Sequence, residues 1–516
     1  MSWQPELDEL RKREAMAKEM GGTEKVAKHR SHGKLPIRDR IAALLDAGSF
    51  REIGTLAGKA EYENGQLKSF MAANFIYGTG RIDQRKVVVG GDDFTIRGGA
   101  SDAGIRGKQI HAEQMANSLR LPMVRLVDGT GGGGSVKMLE RYGYTYVPAN
   151  PAWNYVVDNM SMVPVVAACM GSVAGLGAAR VVTSHFSILV EPTAQLFTAG
   201  PPVVKFATGE NLSKEELGGA QIHRKSGVVD VVVPSEEEAF RQIRGFLSYL
   251  PSNVYQAPPV QPCSDPADRR EEKLLSAVPR NRRQPVRIRP LMAAIFDVGS
   301  VFELARYGGA VVTALARLDG HPVGVIASDP YIAGGVMTVE GSDAMTRLVD
   351  LCQTFHLPVV VLTDQPGIAV GTHAERRGTI RYAARAVAAV YQATVPTAEI
   401  IIRKCFGVGG AGMTNRHGFV QRYAWPSGDW GSLPVEGGLE AAYRSELEAS
   451  DDRQALLEDI RARLEAFRSP FRTAENFGVE EIIDPRDTRP LLCDWVRDAY
   501  ALLPSQLGRP SHGTRP

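Results

Sequence analysis

The chain has 516 residues, too many for a single hydrophobic core and enough for two domains of roughly 200 residues each. Its 60 basic residues balance 58 acidic ones, and 44% of residues are apolar against 23% charged, the profile of an ordinary globular protein and not of a nucleic-acid binder or a disordered chain. The five cysteines lack CxxC or Cys/His spacing, which argues against a disulfide framework and a zinc site, so no metal is expected.

The N-terminal stretch MSWQPELDELRKREAMAKEM is charged and has no apolar run, so it reads neither as a secretory signal nor as a typical transit peptide. No stretch of about 20 apolar residues follows anywhere, so no membrane helix is expected. With unpaired cysteines suited to a reducing compartment, the expected location is the cytoplasm. Residues 1–48 read as a helical arm, with Leu35, Ile37, Ile41, Leu44 and Leu45 as an apolar stripe that ends at Gly48. Short Val/Ile/Leu runs then alternate with longer helical segments to about residue 250, the pattern of an α/β domain. SEEEAFRQIRGFLSYL, the last of these, opens on a Ser cap and an acidic first turn. This gives a first domain over residues 1–260. Residues 261–290 are rich in Pro and Arg and read as a linker, with Arg280-Asn281-Arg282-Arg283 taken as a solvated charge run in preference to a binding patch. The second domain covers 291–516. Its late segment DDRQALLEDIRARLEAFRSPF reads as an amphipathic helix stopped by Pro470, and the last dozen residues as a frayed tail.

The two halves repeat one another. Arg81-Ile82-Asp83 matches Arg317-Leu318-Asp319, Asp93 matches Asp329, Gly98-Gly99 matches Gly334-Gly335, Pro122 matches Pro358 and Asp128 matches Asp364, each at an offset of 236. A second echo joins MVPVVAACMGSVAGLG to TVPTAEIIIRKCFGVGGAG, where the offset slips to 232 at Pro164 and Pro396 and is expected to return to 236 at Gly171 and Gly407. A repeat this long makes two homologous domains and not a solenoid.

Chemistry is expected at the glycine turns. GSVAGLGAA (171–179) and FGVGGAGM (406–413) each follow a strand and open a helix, where unpaired N–H groups and the positive dipole end suit an oxyanion. Tight strand-to-helix packing explains the same glycines equally well, and spacing does not choose between them. GGGGS at 131–135 lacks a following GK[ST], so it is not a nucleotide loop. No GxSxG occurs and the histidines lie apart, so no nucleophile and base are paired; His223 reads as a structural hydrogen-bonding residue. An enzyme with paired backbone oxyanion holes and no side-chain base would be unusual; it would stabilise an enolate and borrow its base from a cofactor.

Over roughly residues 24–500 the chain resembles the carboxyltransferase (beta) subunits of biotin-dependent acyl-CoA carboxylases, of the propionyl-CoA and methylcrotonoyl-CoA carboxylase type. The resemblance rests on HGKLPIRDRIAALLDAGSFREI (32–53), GTGRIDQRKVVVGGDDFTIRGGASD (78–102), AGPPVVKFATGENLSKEELGGAQIHRKSGVVD (199–230), ATVPTAEIIIRK (393–404) and YAWP (423–426). It implies an α/β fold of two homologous crotonase-like (ClpP/crotonase superfamily) domains, each a spiral of ββα units. It also implies acyl-CoA as substrate on the first domain and biotin, carried on a biotin carboxylase or carboxyl carrier subunit, on the second. A homo-oligomer, by family default a hexamer, is implied as well. Gly175 and Leu176 would donate the first pair of backbone N–H groups, to a thioester enolate, and Val408 and Gly409 the second, to the biotin ureido oxygen. Gly98, Gly99, Gly131, Gly132, Gly171, Gly367 and Ala411 are expected to line the substrate and cofactor sites.

Several positions depart from the family pattern. The loop often written DSGGAR is Asp128-Gly129-Thr130-Gly131-Gly132-Gly133 here, an acidic position of the propionyl type falls near Ala411, and WPSGDWGSLP (425–434) replaces WPxAxIxVMG. FGVGGAGM is similar to the methylcrotonoyl type and Arg403-Lys404 to the propionyl type, so the acyl group stays open. Three readings follow: an acyl-CoA carboxyltransferase, a CoA-ester decarboxylase or biotin-independent variant, and a catalytically silent assembly partner.

Overall fold

The computed structural model describes residues 2–100, 104–129, 135–150, 152–415, 418–465 and 467–515. They fall into two units, 1–256 with 509–516, and 257–508.

Unit one carries β1 (Arg51–Glu52), β2 (Gly58–Glu63), β3 (Gln66–Ala72), β4 (Phe75–Ile82), β5 (Arg85–Asp92), β6 (Met123–Val127), β7 (Val165–Cys169), β8 (Ser172–Ala174), β9 (Phe186–Val190), β10 (Gln195–Phe197) and β11 (Val231–Val233). Its main sheet runs β1-β4-β5-β6-β7-β9-β11. The first two pairings are antiparallel and the rest parallel. The sequence explains the change: β6 (MVRLV) and β7 (VVAAC) are buried throughout, as strands covered on both faces must be, and a parallel crossover brings its helix onto a face.

Unit two carries β12 (Phe302–Leu304), β13 (Val311–Leu318), β14 (His321–Ser328), β15 (Val359–Gln365), β16 (Thr397–Phe406), β17 (Val420–Ala424), β18 (Asp429–Gly431) and β19 (Glu481–Ile482), in the order β12-β13-β14-β15-β16-β17-β19 with β18 on β16. Alternate residues of β13, Val312, Ala314, Ala316 and Leu318, join one core with Leu291, Met292 and Ile295 of the helix Ile288–Ile295 and Trp495 of Thr488–Leu502. The other face takes the helix Val339–Phe355; a Cβ on Gly324 would overlap Cys352 Sγ, so only glycine lets that helix close on β14.

The duplication is literal. β4 and β5 recur as β13 and β14 at an offset of 236 residue for residue, and the pairing Ile82↔Arg85 recurs as Leu318↔His321. Both hairpins turn through two positive-φ residues, Asp83 and Gln84 at 48° and 68°, Asp319 and Gly320 at 49° and 79°. Each turn is held by one carboxylate that accepts both N–H groups, Asp46 at 3.1 and 2.8 Å and Asp297 at 3.0 and 2.8 Å.

These two aspartates belong to a second register. The helix Ile37–Leu44 returns as Ile288–Ile295, and the bidentate pair Arg38–Glu52 as Arg289–Glu303, at an offset of 251. The difference of 15 between the registers equals the length of the β2–β3 hairpin, Gly58 to Ala72, inserted in unit one.

Three local expectations change. The stretch 261–290 is no free linker: it falls in unit two, Leu274 and Val286 lie in its core, and Gln284 O accepts from Arg403 at 2.6 Å. The C-terminal tail is anchored on unit one, where Arg509 bonds Ser161 Oγ at 2.9 Å and pairs with Asp158, and Thr514 is buried. Pro470 starts the helix Pro470–Glu475 and does not stop the preceding one, which ends at Glu465; its missing N–H costs nothing in a first turn. The N-terminal arm is three helices, Gln4–Lys18, Thr23–Ser31 and Ile37–Leu44, with Gly22 (φ 91°) and Gly33 (φ 74°) at the breaks. Among the described residues no helix is long and apolar enough to cross a membrane.

Candidate functional site

In unit one the chain leaves β7, forms the short β8 parallel to β10, and turns at Gly175 into the helix Leu176–Val182. Gly175 has φ 59° and ψ −123°, a conformation in which a Cβ is strained, so the turn requires glycine. Its N–H donates to Phe197 O at 3.3 Å and Thr198 O at 3.1 Å. The next N–H groups, of Leu176 and Gly177, open the helix, and Leu176 is 45% exposed.

Unit two repeats the device. The end of β16, Lys404–Phe406, runs parallel to β18 and turns at Gly407 (φ 57°) into Gly407–Ala411. Gly407 therefore stands where Gly175 does, at an offset of 232, and the register keeps the value of the prolines instead of returning to 236 at Gly171. Val408 follows at 61% exposure, and Gly409 is buried.

The structure sorts the other expected residues by what surrounds them. A Cβ on Gly409 would lie 2.8 Å from the Gly367 carbonyl carbon, so these two glycines form a close backbone contact. Gly367 has φ 126° and Ala411 is exposed at the end of the short helix. On Gly99 a Cβ would lie 2.7 Å from Gly129 Cα, whereas Gly98 (φ 62°) has only Phe94 nearby at 3.8 Å. On Gly171 it would overlap Asp128 Oδ1. Gly131 and Gly132 lie outside the described residues. His223 is buried with Nε2 2.7 Å from Leu196 O and Nδ1 3.0 Å from Ser226 Oγ, an orienting hydrogen-bond pair at the base of the turn.

Asp128 is the centre of a buried charge cluster outside the glycine turns, and its repeat at Asp364 is the sequence signal for it. Lys34 Nζ and Arg40 Nη1 reach its carboxylate at 2.7 and 2.8 Å, and Arg40 also forks onto Glu236 at 2.6 to 3.1 Å. The Lys34 ammonium lies 4.6 Å from the centroid of Phe94, and burial lowers its pKa against the opposing pull of Asp128. Burial also pushes Asp92 up to about 6 and His29 down to about 4. In unit two the matching Asp364 takes a bidentate Arg403 at 3.1 and 2.7 Å and the Lys404 N–H at 3.1 Å. Beside the Gly175 turn, Lys214 Nζ donates to Ser172 Oγ at 3.2 Å, Ser172 to Gln195, and Gln195 to Glu215. This relay ties the turn to the helix Lys214–Gly218, whose Ser213–Glu216 capping box fixes its start. Among the described residues no three His, Cys, Asp or Glu side chains converge as a metal site.

Such a pair of turns can stabilise negative charge developing on two oxygens, one in each unit. The carboxyl transferase domain profile matches residues 28–497. The chain is 32% identical to a propionyl-CoA carboxylase carboxyltransferase subunit of Haloferax mediterranei over 100% of both chains. It is 31% identical to the methylmalonyl-CoA decarboxylase subunit alpha of Veillonella parvula, over 98% of this chain and 96% of that one. Among solved structures, transcarboxylase 12S, a hexamer assembly with methylmalonyl-coenzyme A and methylmalonic acid bound, superposes with a TM-score of 0.88 at 28% identity, covering 100% of this chain and 99% of the other. Two duplicated α/β units of this crotonase-like fold, and a match that spans nearly the whole sequence, place the chain in the carboxyl transferase family, among the carboxyltransferase subunits of acyl-CoA carboxylases.

Proposed function

We propose that this chain transfers a carboxyl group from biotin, carried on a separate carrier polypeptide, to the α- or vinylogous carbon of an acyl-CoA thioester. The observation that carries the reading is the duplicated strand, positive-φ glycine and helix, at Gly175 and Gly407. In this reading unit one holds the thioester and unit two the biotin. The Gly175 N–H is already committed to Thr198 O, so the first donor pair is Leu176 and Gly177, which matches Val408 and Gly409 residue for residue at offset 232. Each donor aimed at a developing oxyanion is worth about 3 to 4 kcal/mol of transition-state stabilisation. Biotin supplies the carboxyl group and, relieved of it, the base for the α-proton. The exposed Val408, next to the Gly367–Gly409 contact, fits the thioether ring of its bicycle. Phe206, 93% exposed on the helix Pro201–Thr208, and Val203 beside it fit burial against a second copy, as the hexameric relative suggests.

A panel of propionyl-, butyryl-, methylcrotonoyl- and longer acyl-CoAs, assayed with the purified biotin-carrying partner, tests the proposal. Carboxylation of at least one is expected, and no turnover with any would reject it. The similarity to a decarboxylase subunit supports a second reading, the same chemistry run backwards. Release of CO2 from a malonyl-type CoA ester, without measurable carboxylation under matched conditions, would select it. Streptavidin blotting should leave this chain unlabelled, and light scattering should find no active monomer.

A further inference from the structure

Unit two contains a cavity of about 360 Å³ that the carboxyltransferase reading does not use. Leu274 and Leu291, each 2% exposed, form its floor, Pro285 a wall, and Lys273, Arg287 and the half-exposed Tyr331 its rim. Its volume is at the small end for ligand pockets, and its mixture of an apolar floor with a few polar groups is their usual composition.

Two cations, Lys273 and Arg287, line the cavity, and Arg280, Arg282, Arg283 and Arg289 lie in the same stretch of chain without lining it. Arg282 is neutralised by Glu465 at 2.8 Å, and Arg289 by Glu303 and Asp329 at 2.7 Å each. Lys273 lies 3.2 Å from Glu271, but that carboxylate also serves Arg269 at 2.6 Å. Arg280, Arg283 and Arg287 have no acidic partner among the described residues, and the Arg287 guanidinium sits 5.5 Å from the Tyr331 ring centroid. A flat aromatic surface backed by a planar guanidinium, over an apolar floor and beside a second cation, is complementary to a ligand with a flat ring at one end and phosphate at the other. An acyl chain would leave the cations unanswered, and an acidic peptide would leave the ring and floor unused.

We propose that this cavity binds a nucleoside phosphate, its base against Tyr331 and the Leu274–Leu291 floor and its phosphates on Arg287 and Lys273. Free nucleotide and the nucleotide end of CoA share this chemistry. Isothermal titration of the full chain with ADP and, in parallel, with CoA distinguishes them. Arg287→Ala and Tyr331→Ala should each weaken ADP binding ~10-fold or more, and Arg287→Lys should weaken it less. Both side chains are exposed, so melting curves should be unchanged. If CoA binding weakens in step, the nucleotide end of CoA is an occupant; if only ADP binding weakens, free nucleotide is. An ADP isotherm identical in wild type and both alanine variants, or no ADP binding at millimolar concentration, overturns the proposal. The titration needs no turnover, so its result stands apart from the success or failure of the carboxylation panel.

Discussion

Asp128 and Asp364 end equivalent central strands, yet the two units surround them differently. In unit one Lys34 comes from the loop between the second and third N-terminal helices and Arg40 from the third, and Arg40 bridges on to Glu236. In unit two a fork from Arg403 and the backbone N–H of Lys404, both on the adjacent strand, meet the carboxylate. Under the offset of 251 the place of Arg40 falls to the buried Leu291, and under 236 that of Asp92 falls to Ser328. Unit one thus keeps ionisable groups where unit two has apolar or neutral ones, while the hairpin turns keep two positive-φ residues each and Gly175 and Gly407 keep φ of 59° and 57°. A positive-φ turn admits few residues, so duplication preserves it. A buried carboxylate accepts any well-placed cation, so its partners are free to diverge.

The sharpest way to break the comparison is to give unit one the residue of unit two. Arg40→Leu leaves Asp128 and Glu236 buried with one cation fewer, and should cost about 3 to 5 kcal/mol in urea unfolding. A loss below about 1 kcal/mol would mean that Lys34 alone satisfies Asp128.

The two turns should respond differently to a methyl group. Gly409→Ala places a Cβ 2.8 Å from the Gly367 carbonyl carbon, and overpacking there should cost about 1 to 3 kcal/mol of stability along with activity. Gly175→Ala meets only Thr198 O at 3.9 Å. Its cost is the strained φ, about 1 to 3 kcal/mol, and kcat should fall by more than the melting temperature implies. Equal losses of both quantities in the two variants would show that Gly175, too, is a packing device.

A third contrast lies in pH. Asp92, raised to about 6 by burial, binds its proton more tightly folded than unfolded, so its share of stability is present at acid pH and lost as pH rises from about 4 to 6, worth about 2 to 3 kcal/mol. His29, lowered to about 4 by burial, runs the other way: the unfolded chain takes the proton first, and stability is lost as pH falls from about 6.5 to 4. The two trends oppose each other in the wild type. Asp92→Ser, the unit-two residue, should leave the histidine trend exposed, with the melting temperature rising more steeply between pH 4 and 6. Parallel curves for variant and wild type would refute the assignment.

The smallest effect is expected at the duplicated surface pairs. Arg289→Gln should cost under about 1 kcal/mol and less at high salt, because its guanidinium is half exposed. Arg38→Gln, at the more buried Glu52, should cost more, and thermal melts at two salt concentrations rank them.

Much of this was legible in the sequence, because the offset of 236 survived wherever backbone geometry dictated the residue. The hairpins, Gly98-Gly99 with Gly334-Gly335, and the aspartates at 128 and 364 are all on it. The register of 251 is equally present, in IRDRIAALLDAGSFRE and IRPLMAAIFDVGSVFE, but the β2–β3 insertion sets it 15 positions off the first, so a single constant offset does not reveal it. The stretch 261–290 looked like a linker because proline and arginine break periodicity, although Leu274 and Val286 are enough to bury it.

The sequence alone determined the duplication, the α/β class, the glycine turns and the family resemblance, since these rest on local rules: period, φ sign and strand-to-helix punctuation. Tertiary structure decided which glycines are turns and which are contacts. Gly175 and Gly409 look alike in a string, but one is a positive-φ turn whose N–H is already bonded and the other is pressed on Gly367. It also decided that Lys34 and Arg40 answer the Asp128 carboxylate and that Arg40 reaches on to Glu236, 202 positions beyond Lys34. No spacing rule reaches that far, because partners of a buried charge are chosen by where the chain returns and not by where it has been.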